Sequence, residues 1–321
     1  RKLLCPFQYF GITDSVDYSN IRWQKGGYVV SELTKIYTAN DHRAKLVAQK
    51  TNDIVLNIKN VKGLGFCVSK KHAEFMAAKF NKYGIPSEYL TSDSDQETRK
   101  TVQDRLKNLE INFIFVVDLY NEGVDIPEID TVLFLRPTES LTVFLQQLGR
   151  GLRISENKNC LTVLDFVGQA NKNYRYDLRF KALIEDKTRN IAEEVEEGFP
   201  HLPAGCNIEL ERKSKEYILN NIREAIYMRK SILVQKIATF KALTGNEITL
   251  NKFLEYYDLE LDEIYKRFCW SRGLVEAGLL NNFHDKDEQL ITKGLRRIQH
   301  IEHVDYIETI IEVLKLRKHE I

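Results

Sequence analysis

Two arginines near the middle of the chain, Arg150 and Arg153, follow Gln146 and Gly149 in the stretch 146–153. An arginine keeps its charge at every working pH, and its planar fork of N–H donors fits phosphate oxygens. We expect a helix here, in which residues three apart share a face, so both guanidinium groups could converge on one anion. The glycine would keep the backbone narrow beside them. An ordinary surface helix with ion-paired arginines fits the same residues.

A hydrophobic run and a polar loop lie roughly twenty residues upstream. Residues 113–117 are apolar and rich in β-branched and aromatic types, which is typical of a strand buried on both faces of a parallel sheet. The loop 118–127 would leave the carboxyl end of that strand, where open α/β sheets bind ligands. Gly123 would let the backbone approach a ligand, and Asp125 could accept hydrogen bonds from hydroxyls such as those of a ribose.

Together these segments resemble motifs V and VI of the superfamily-2 helicases. Those motifs are a hydrophobic strand followed by Gly-x-Asp-x-Pro, and then Gln-x-x-Gly-Arg-x-x-Arg. The matching residues here are Gly123, Asp125, Pro127, Gln146, Gly149, Arg150 and Arg153. The stretches 4–14, 135–140 and 204–212 look like a narrower group, the bacterial DEAD/DEAH-type helicases that carry a phospholipase-D-like nuclease module.

The resemblance implies roles for these residues in the use of ATP. Arg150 and Arg153 would be catalytic arginine fingers that neutralise charge on the γ-phosphate, and Gln146 would assist them. The residues implied in binding the nucleotide are Gly123, Asp125 and Gly149.

The sequence lacks the parts of a helicase motor that hold the phosphates and the metal. It contains neither a Gly-x-x-x-x-Gly-Lys-Ser/Thr loop nor an Asp-Glu-x-Asp/His motif. It also begins at Arg1 without a methionine. We therefore expect a fragment that starts after the first motor domain. ATP and Mg²⁺ would be held by that missing domain of the same polypeptide, and this chain alone would hydrolyse no ATP.

Alternating strands and helices predict an α/β fold for residues 41–190, a RecA-like parallel sheet flanked by helices. Residues 1–40 would be an interdomain connector, and residues 191–321, where helical periodicity dominates, an all-α extension. Ser69 is the expected N-cap of one helix, and Thr138 or Ser140 that of the helix carrying the arginines. Residues 248–280 fit either a helix-turn-helix or a generic three-helix bundle.

Nucleic-acid contacts are expected at loops that leave the sheet, because helicases grip a strand by its phosphates. The candidates are Ser69, Lys70, Lys71, Ser92 and Arg99. A plain solvated helix start also fits the two lysines, and His72 is expected to be an exposed helix residue.

Composition restricts the partners and the compartment. The net charge is only +1 over 321 residues, so contact with a polyanion must come from local basic patches. No apolar run approaches the ~20 residues of a membrane helix. The five cysteines show no Cys-x-x-Cys spacing, which favours reduced thiols in a cytoplasm over zinc sites or disulfides. No metal site is predicted, because His300 and His303 lack a third ligand nearby.

These features predict the second motor domain of a nucleic-acid helicase or translocase. By family analogy, DNA is favoured over RNA as the track, and restriction, defence or repair as the process. The alternative is a non-catalytic helicase-like module that binds nucleic acid or protein. Retention of both arginines argues against that alternative. A phosphate-binding loop encoded upstream of Arg1 would support the motor, and its absence would support the binding module.

Overall fold

The structure of the chain is a computed structural model. It describes residues 4–24, 27–117, 126–138, 140–156, 158–186, 189–244, 248–257, 259, 261–298 and 308–313. The chain divides into two compact units, Arg1–Ala225 and Ile226–Ile321.

The first unit is built on a parallel sheet. Its strands are β1 (Phe7–Asp17), β4 (Gly63–Phe66), β5 (Ser87–Leu90), β6 (Phe113–Val116), β7 (Thr131–Phe134), β8 (Leu161–Gln169) and β9 (Asn207–Leu210). Within the described residues these seven strands lie in the order β5-β6-β4-β7-β8-β1-β9, and every neighbouring pair is parallel. A separate antiparallel hairpin joins β2 (Trp23–Gln24) to β3 (Gly27–Tyr28).

Helices cover both faces of this sheet. Those of the first unit are α1 (Val30–Thr38), α2 (Asp41–Ile54), α3 (Lys70–Lys82), α4 (Gln96–Lys107), α5 (Leu141–Gly151), α6 (Tyr176–Leu183) and α7 (Ile191–Glu197), with a 3₁₀ turn at Ile58–Asn60. Helix α8 (Arg212–Thr244) begins in the first unit and extends past its last residue, Ala225. Successive residues of β7 enter different cores: Phe134 packs with Phe144 of α5, and Leu133 packs with Phe80 of α3. The sheet is therefore the middle layer of an α/β sandwich, as the sequence predicted.

Aromatic packing explains why β4 and β6 are neighbours. A side chain at Gly65 of β4 would place its Cβ 2.5 Å from Phe115 of β6, so glycine is needed for the close approach. The ring of Phe80 meets Phe115 edge-on from above, with 4.8 Å between ring centroids. Residues 113–116 of the apolar run 113–117 are thus buried on both sides, as expected of a central parallel strand.

The predicted domain boundaries need correction. The boundary at residue 40 separates no structural units, because β1 lies inside the sheet and pairs with β8 from Phe7↔Leu161 to Thr13↔Val167. The boundary at residue 190 is also displaced, because β9 pairs with β1 and the compact units divide at Ala225. Residues 171–197 contain two separate helices, α6 and α7.

The second unit is helical, as predicted. Its further helices are α9 (Leu250–Tyr257), α10 (Leu261–Tyr265), α11 (Trp270–Glu276) and α12 (Glu288–Ile298). Phe253 is completely buried, and Trp270 packs on it with 5.2 Å between ring centroids. Trp270 therefore packs on the hydrophobic core of the second unit. His300 and His303 lie outside the described residues.

His72 is buried, so the expectation that it would be exposed is wrong. Its ring stacks on Tyr37, with 4.5 Å between centroids, and its Nδ1 accepts a hydrogen bond from the Val68 N–H at 3.3 Å. The Arg43 guanidinium lies over the Tyr37 ring, 4.2 Å from the ring centroid, and forms an ion pair with the buried Asp14 carboxylate. Burial, together with the charges of Arg43 and Arg136, holds the pKa of His72 well below its usual value.

This burial predicts an acid-sensitive contribution to stability. Below pH ~6.5 an unfolded histidine takes up a proton that the folded His72 does not, so stability is lost as the pH falls through that value. His72→Phe keeps a stacked ring and removes the titration. Between pH 6.5 and 5, we expect the free energy of unfolding of the wild type to fall faster than that of the variant. The difference should reach up to about 1.4 kcal/mol per pH unit. Urea unfolding measured across this range provides the check, and parallel curves would contradict it.

Candidate nucleotide and nucleic-acid surfaces

Helix α5 carries the arginine motif and presents it outward. Phe144, Gln147 and Leu148 are buried against the sheet, whereas Gln146 is exposed and Arg150 is half-buried. Residues four apart share a helix face, so Gln146 and Arg150 are neighbours on the outer side. Ser140 begins the helix as its N-cap by accepting a hydrogen bond from the Val143 N–H, which decides between the two predicted caps.

The two arginines do not share a helical face, which corrects the sequence-based expectation. The helix ends at Gly151 with Leu152 as its C-cap, so Arg150 lies in the last turn and Arg153 follows in the loop. A Cβ at position 151 would collide with the side chain of Leu161 at the start of β8. The end of α5 therefore packs directly onto Leu161, the first residue of β8. The two arginines could converge on one anion only through the conformation of the turn that follows the helix.

Three carbonyls of this turn accept hydrogen bonds from residues outside the helix. The Lys158 ammonium donates to the carbonyls of Gly151 and Arg153, the latter at 2.9 Å, and also to that of Pro127 at 3.3 Å. The Cys5 N–H donates to the Leu152 carbonyl at 2.9 Å. Burial lowers the pKa of Lys158, while its neighbours, including Cys5 and Asp130, oppose that shift. The backbone between the two arginines is thus fixed by groups from outside the helix.

A buried polar network holds the middle of α5 against the sheet. The Thr138 hydroxyl donates to Gln147 Oε1 at 3.3 Å, and the Tyr174 hydroxyl donates to the Thr138 carbonyl at 3.1 Å. Arg179 donates to Tyr174 at 3.0 Å and is paired with Asp165 at 2.9 Å. Burial raises the pKa of Asp165, although the charge of Arg179 opposes it.

Among the residues that the structure describes, the outer face of α5 is open. The Arg150 side chain makes no hydrogen bond or ion pair with any of them. A Cβ added at Gly149 would meet no described atom within 4 Å, so nothing in this part of the chain requires glycine there. Gly123 and Asp125, the other residues expected to bind nucleotide, lie outside the described residues. The chain is described again at Ile126, and Pro127 is joined to Arg153 through Lys158.

The predicted nucleic-acid residues gather at the carboxyl ends of β4 and β5. Ser69 is the N-cap of α3, as expected, and also accepts a hydrogen bond from the Thr34 hydroxyl at 2.9 Å. Lys70 forms an exposed ion pair with Asp93 of the loop after β5. The hydrogen bond from Lys70 and its charge lower the pKa of Asp93. This ion pair links the two loops across the end of β6, the strand between them.

The remaining members of this surface are arranged by the backbone. The Arg99 guanidinium donates to the carbonyls of Thr91 and Ser92, each at 3.2 Å. The Ser92 hydroxyl donates to Asp93 at 3.3 Å. Lys71 is exposed at the start of α3. We call residues Ser69–Lys71 and Thr91–Arg99 the carboxyl-edge surface.

The two groups of predicted residues lie at opposite ends of the strands. The carboxyl-edge surface follows β4 and β5, whereas the end of α5 packs against the first residue of β8. Because the strands are parallel, one group lies where the carboxyl ends of the strands meet, and the other lies where their amino ends meet. The sequence did not identify Asp93 or Lys158 as parts of these surfaces. Lys158 gave no signal because its partners are backbone carbonyls, which any residue type provides.

Comparison with known proteins agrees with the motifs. Residues 46–155 match the family model described as the helicase conserved C-terminal domain. IRC3 of Saccharomyces cerevisiae, named for an ATP-dependent helicase, is 29% identical over 171 residues, covering 53% of this chain and 24% of that protein. The EcoKI type I restriction endonuclease subunit of Escherichia coli is 33% identical over 120 residues, covering 33% of this chain and 10% of that protein.

Two further similarities concern a splicing helicase. The Schizosaccharomyces pombe pre-mRNA-splicing ATP-dependent RNA helicase prp28 is 28% identical over 127 residues, covering 38% of this chain and 19% of that protein. The solved structure of the yeast DEAD-box splicing factor Prp28 aligns with a TM-score of 0.43 and 16% identity, covering 68% of this chain and 37% of that chain. The chain spans about a quarter or less of the curated relatives named here.

Residues 46–155 therefore match the helicase conserved C-terminal domain, and the motifs in this range resemble those of superfamily-2 helicases. The fold that carries this match is a parallel sheet between layers of helices. The five cysteines, all within the described residues, are free thiols. Among the helices described, none combines the length and apolar character that crossing a membrane requires.

The two glycines of α5 make a matched pair for testing this geometry. Gly151→Ala should lower the free energy of unfolding by about 1–3 kcal/mol, because buried Leu161 must move. Gly149→Ala should leave stability unchanged or raise it by about 0.5–1 kcal/mol, because alanine favours a helix and meets nothing there. Urea unfolding of both variants is the measurement. A destabilising Gly149→Ala would mean that the outer face is not open.

Proposed function

We propose that this chain is the second motor domain of an ATP-dependent nucleic-acid helicase or translocase. ATP and Mg²⁺ would be held by a first motor domain of the same polypeptide. Closing the cleft between the domains would bring Arg150 to the γ-phosphate, where its charge stabilises the transition state. Arg153 and Gln146 would assist, and Gly123, Asp125 and Gly149 would contribute backbone and side-chain contacts to the nucleotide.

The observation that carries this proposal is that the Arg150 guanidinium has no partner among the described residues. Arg150 lies in the last turn of a helix that is fixed at its middle and its end. A half-buried cation with a fixed backbone and no internal partner is suited to an anion supplied from outside. The open space at Gly149, one residue earlier, leaves room for that ligand. A domain that only bound nucleic acid would have no need of this arrangement on a separate edge of the sheet.

We further propose that the carboxyl-edge surface contacts the phosphates of one strand. Ser69 and Lys71 lie at the start of α3, where a helix N-terminus favours anions, and Arg99 lies beside the backbone of Ser92. Such contacts carry no sequence information and weaken with salt. Similarity to the EcoKI restriction subunit supports DNA as the track and restriction, defence or repair as the process. Stimulation of ATPase activity by RNA alone would contradict the choice of DNA.

Arg150→Ala in the full-length protein tests the catalytic role. We expect kcat for nucleic-acid-stimulated ATP hydrolysis to fall about a thousandfold or more, because a missing arginine finger leaves the transition-state charge unbalanced. Arg212→Ala is the matched control, since Arg212 is exposed at the start of α8 and pairs only loosely with Glu216. This chain alone should hydrolyse no ATP. Near-wild-type turnover by Arg150→Ala would exclude the role assigned to Arg150.

The ion pair between Lys70 and Asp93 makes the strand contact testable in this chain itself. Asp93→Asn should tighten binding of a single-stranded oligonucleotide, because it releases Lys70 and removes a negative charge from the surface. Lys71→Ala should weaken binding and reduce the slope of log K against log salt by about 0.7, the value of one phosphate contact on a single strand. Fluorescence anisotropy across a salt series measures both effects.

The control for the carboxylate is Asp104→Asn. Asp104 is also exposed and ion-paired with a lysine, Lys107, but it lies on the later part of α4. It should leave the affinity unchanged. Equal effects of the two asparagine variants would mean that only the overall charge matters and that the carboxyl-edge surface is not the contact.

A further inference from the structure

One ammonium group joins three separate pieces of backbone at the end of the arginine motif. Lys158 donates to the Gly151 carbonyl in the last turn of α5, to the Arg153 carbonyl in the following loop, and to the Pro127 carbonyl before β7. A lysine has three N–H donors, so each of its donors has one acceptor. The side chain is half-buried.

These carbonyls have few other partners available. The last carbonyls of a helix have no partner within the helix, and an exposed end would leave them to water. Here the Cys5 N–H takes the Leu152 carbonyl at 2.9 Å, and the Cys5 thiol lies 3.6 Å from the Gly151 carbonyl oxygen. Lys158 supplies the remaining donors. Its positive charge also suits the negative end of the α5 dipole.

We propose that Lys158 is a positioning residue for the ATP site, which fixes the turn between Arg150 and Arg153 and joins it to the segment that follows motif V. This proposal rests on the proposed function, because it assumes that Arg150 meets the γ-phosphate. Among the described residues, the Lys158 ammonium hydrogen-bonds only to backbone carbonyls, so it would act through the arginines. A catalytic guanidinium must be held to within a fraction of an ångström, and a fixed turn provides that constraint.

The connection to Pro127 adds a second consequence. The polar segment implied in nucleotide binding ends at Pro127, and Lys158 holds the carbonyl of that residue 3.3 Å from its ammonium. The two segments expected to contact ATP are thus linked by one side chain that belongs to neither motif. Asp130, three residues after Pro127, lies among the charges that surround Lys158, together with Glu128. The positive charge of Lys158 therefore also offsets the negative charges of Asp130 and Glu128.

Hydrogen–deuterium exchange on this chain tests the structural half of the proposal. Lys158→Met keeps the apolar stem and removes all three donors. We expect amides of residues 150–156 to exchange about tenfold faster, because charge-assisted hydrogen bonds to the turn are lost, while β8 keeps its wild-type exchange. Lys158→Gln, which retains two N–H donors, should show a smaller increase and serves if Lys158→Met folds poorly. Lys172→Met is the matched control, because Lys172 is exposed and outside the turn. Unchanged exchange in Lys158→Met would overturn the proposal.

Steady-state kinetics on the full-length protein test the catalytic half. Lys158→Met should lower kcat about ten- to a hundredfold with the KM for ATP changed less than about twofold, because the arginine is misplaced while the other domain still binds the nucleotide. In an Arg150→Ala background the same substitution should change kcat less than about twofold, since its route of action is already removed. A purely structural role predicts equal losses in both backgrounds, and that result would overturn the proposal.

Failure of the proposed function would have a different signature. In that case Arg150→Ala would keep the wild-type kcat, while the exchange experiment would still decide whether Lys158 holds the turn. A third outcome is faster exchange but unchanged kcat for Lys158→Met, together with a large loss of kcat for Arg150→Ala. That result would support the role of Arg150 and would reject Lys158 as a positioning residue.

Discussion

The constraint on which this structure depends is the burial of the central strands on both faces. Residues of β4, β6 and β7 are almost completely inaccessible, and alternate side chains enter one core or the other. A strand in that position cannot carry exposed polar chemistry along its length. The polar residues therefore collect at the two edges of the sheet, with the carboxyl-edge surface at one edge and the end of α5 at the other. The separation of a strand-binding surface from an arginine site follows from this packing.

Buried charged pairs orient the layers on this sheet. Arg43 lies between α2 and the sheet with Asp14, and Arg179 lies beneath α5 with Asp165. Each guanidinium also packs on an aromatic ring, 4.2 Å from the centroid of Tyr37 and 4.1 Å from that of Phe144. Removing one partner of such a pair leaves a buried charge unbalanced, which costs more than the pair itself contributes. The helices are therefore restricted in how they can shift on the sheet, and α5 presents its outer face in one orientation.

The sequence was sufficient for the α/β class, for the central strands and for the N-cap Ser69, because these depend on local patterns. For α5 it narrowed the N-cap to Thr138 or Ser140, of which the structure selects Ser140. It failed for β1, whose strand partners are residues 161–169 and 207–210, far away along the chain. It failed for the end of α5, where contact between Gly151 and Leu161 stops the helix before Arg153. Lys158 and Asp93 could not be predicted from the sequence. Lys158 binds backbone carbonyls and Asp93 pairs with a lysine far away along the chain, so both resemble ordinary surface residues.

The position of β1 has a consequence for how the chain acquires its fold. Phe7 pairs with Leu161, so this strand is synthesised before most of the sheet and must wait for β8 before it gains a partner. The group β5-β6-β4-β7 connects residues much nearer in sequence and can assemble first. During translation, β1 is thus an unpaired segment with apolar side chains, of the type that chaperones bind and that aggregates form on. Its pairing with β8 and β9 can occur only after both of those strands have been synthesised.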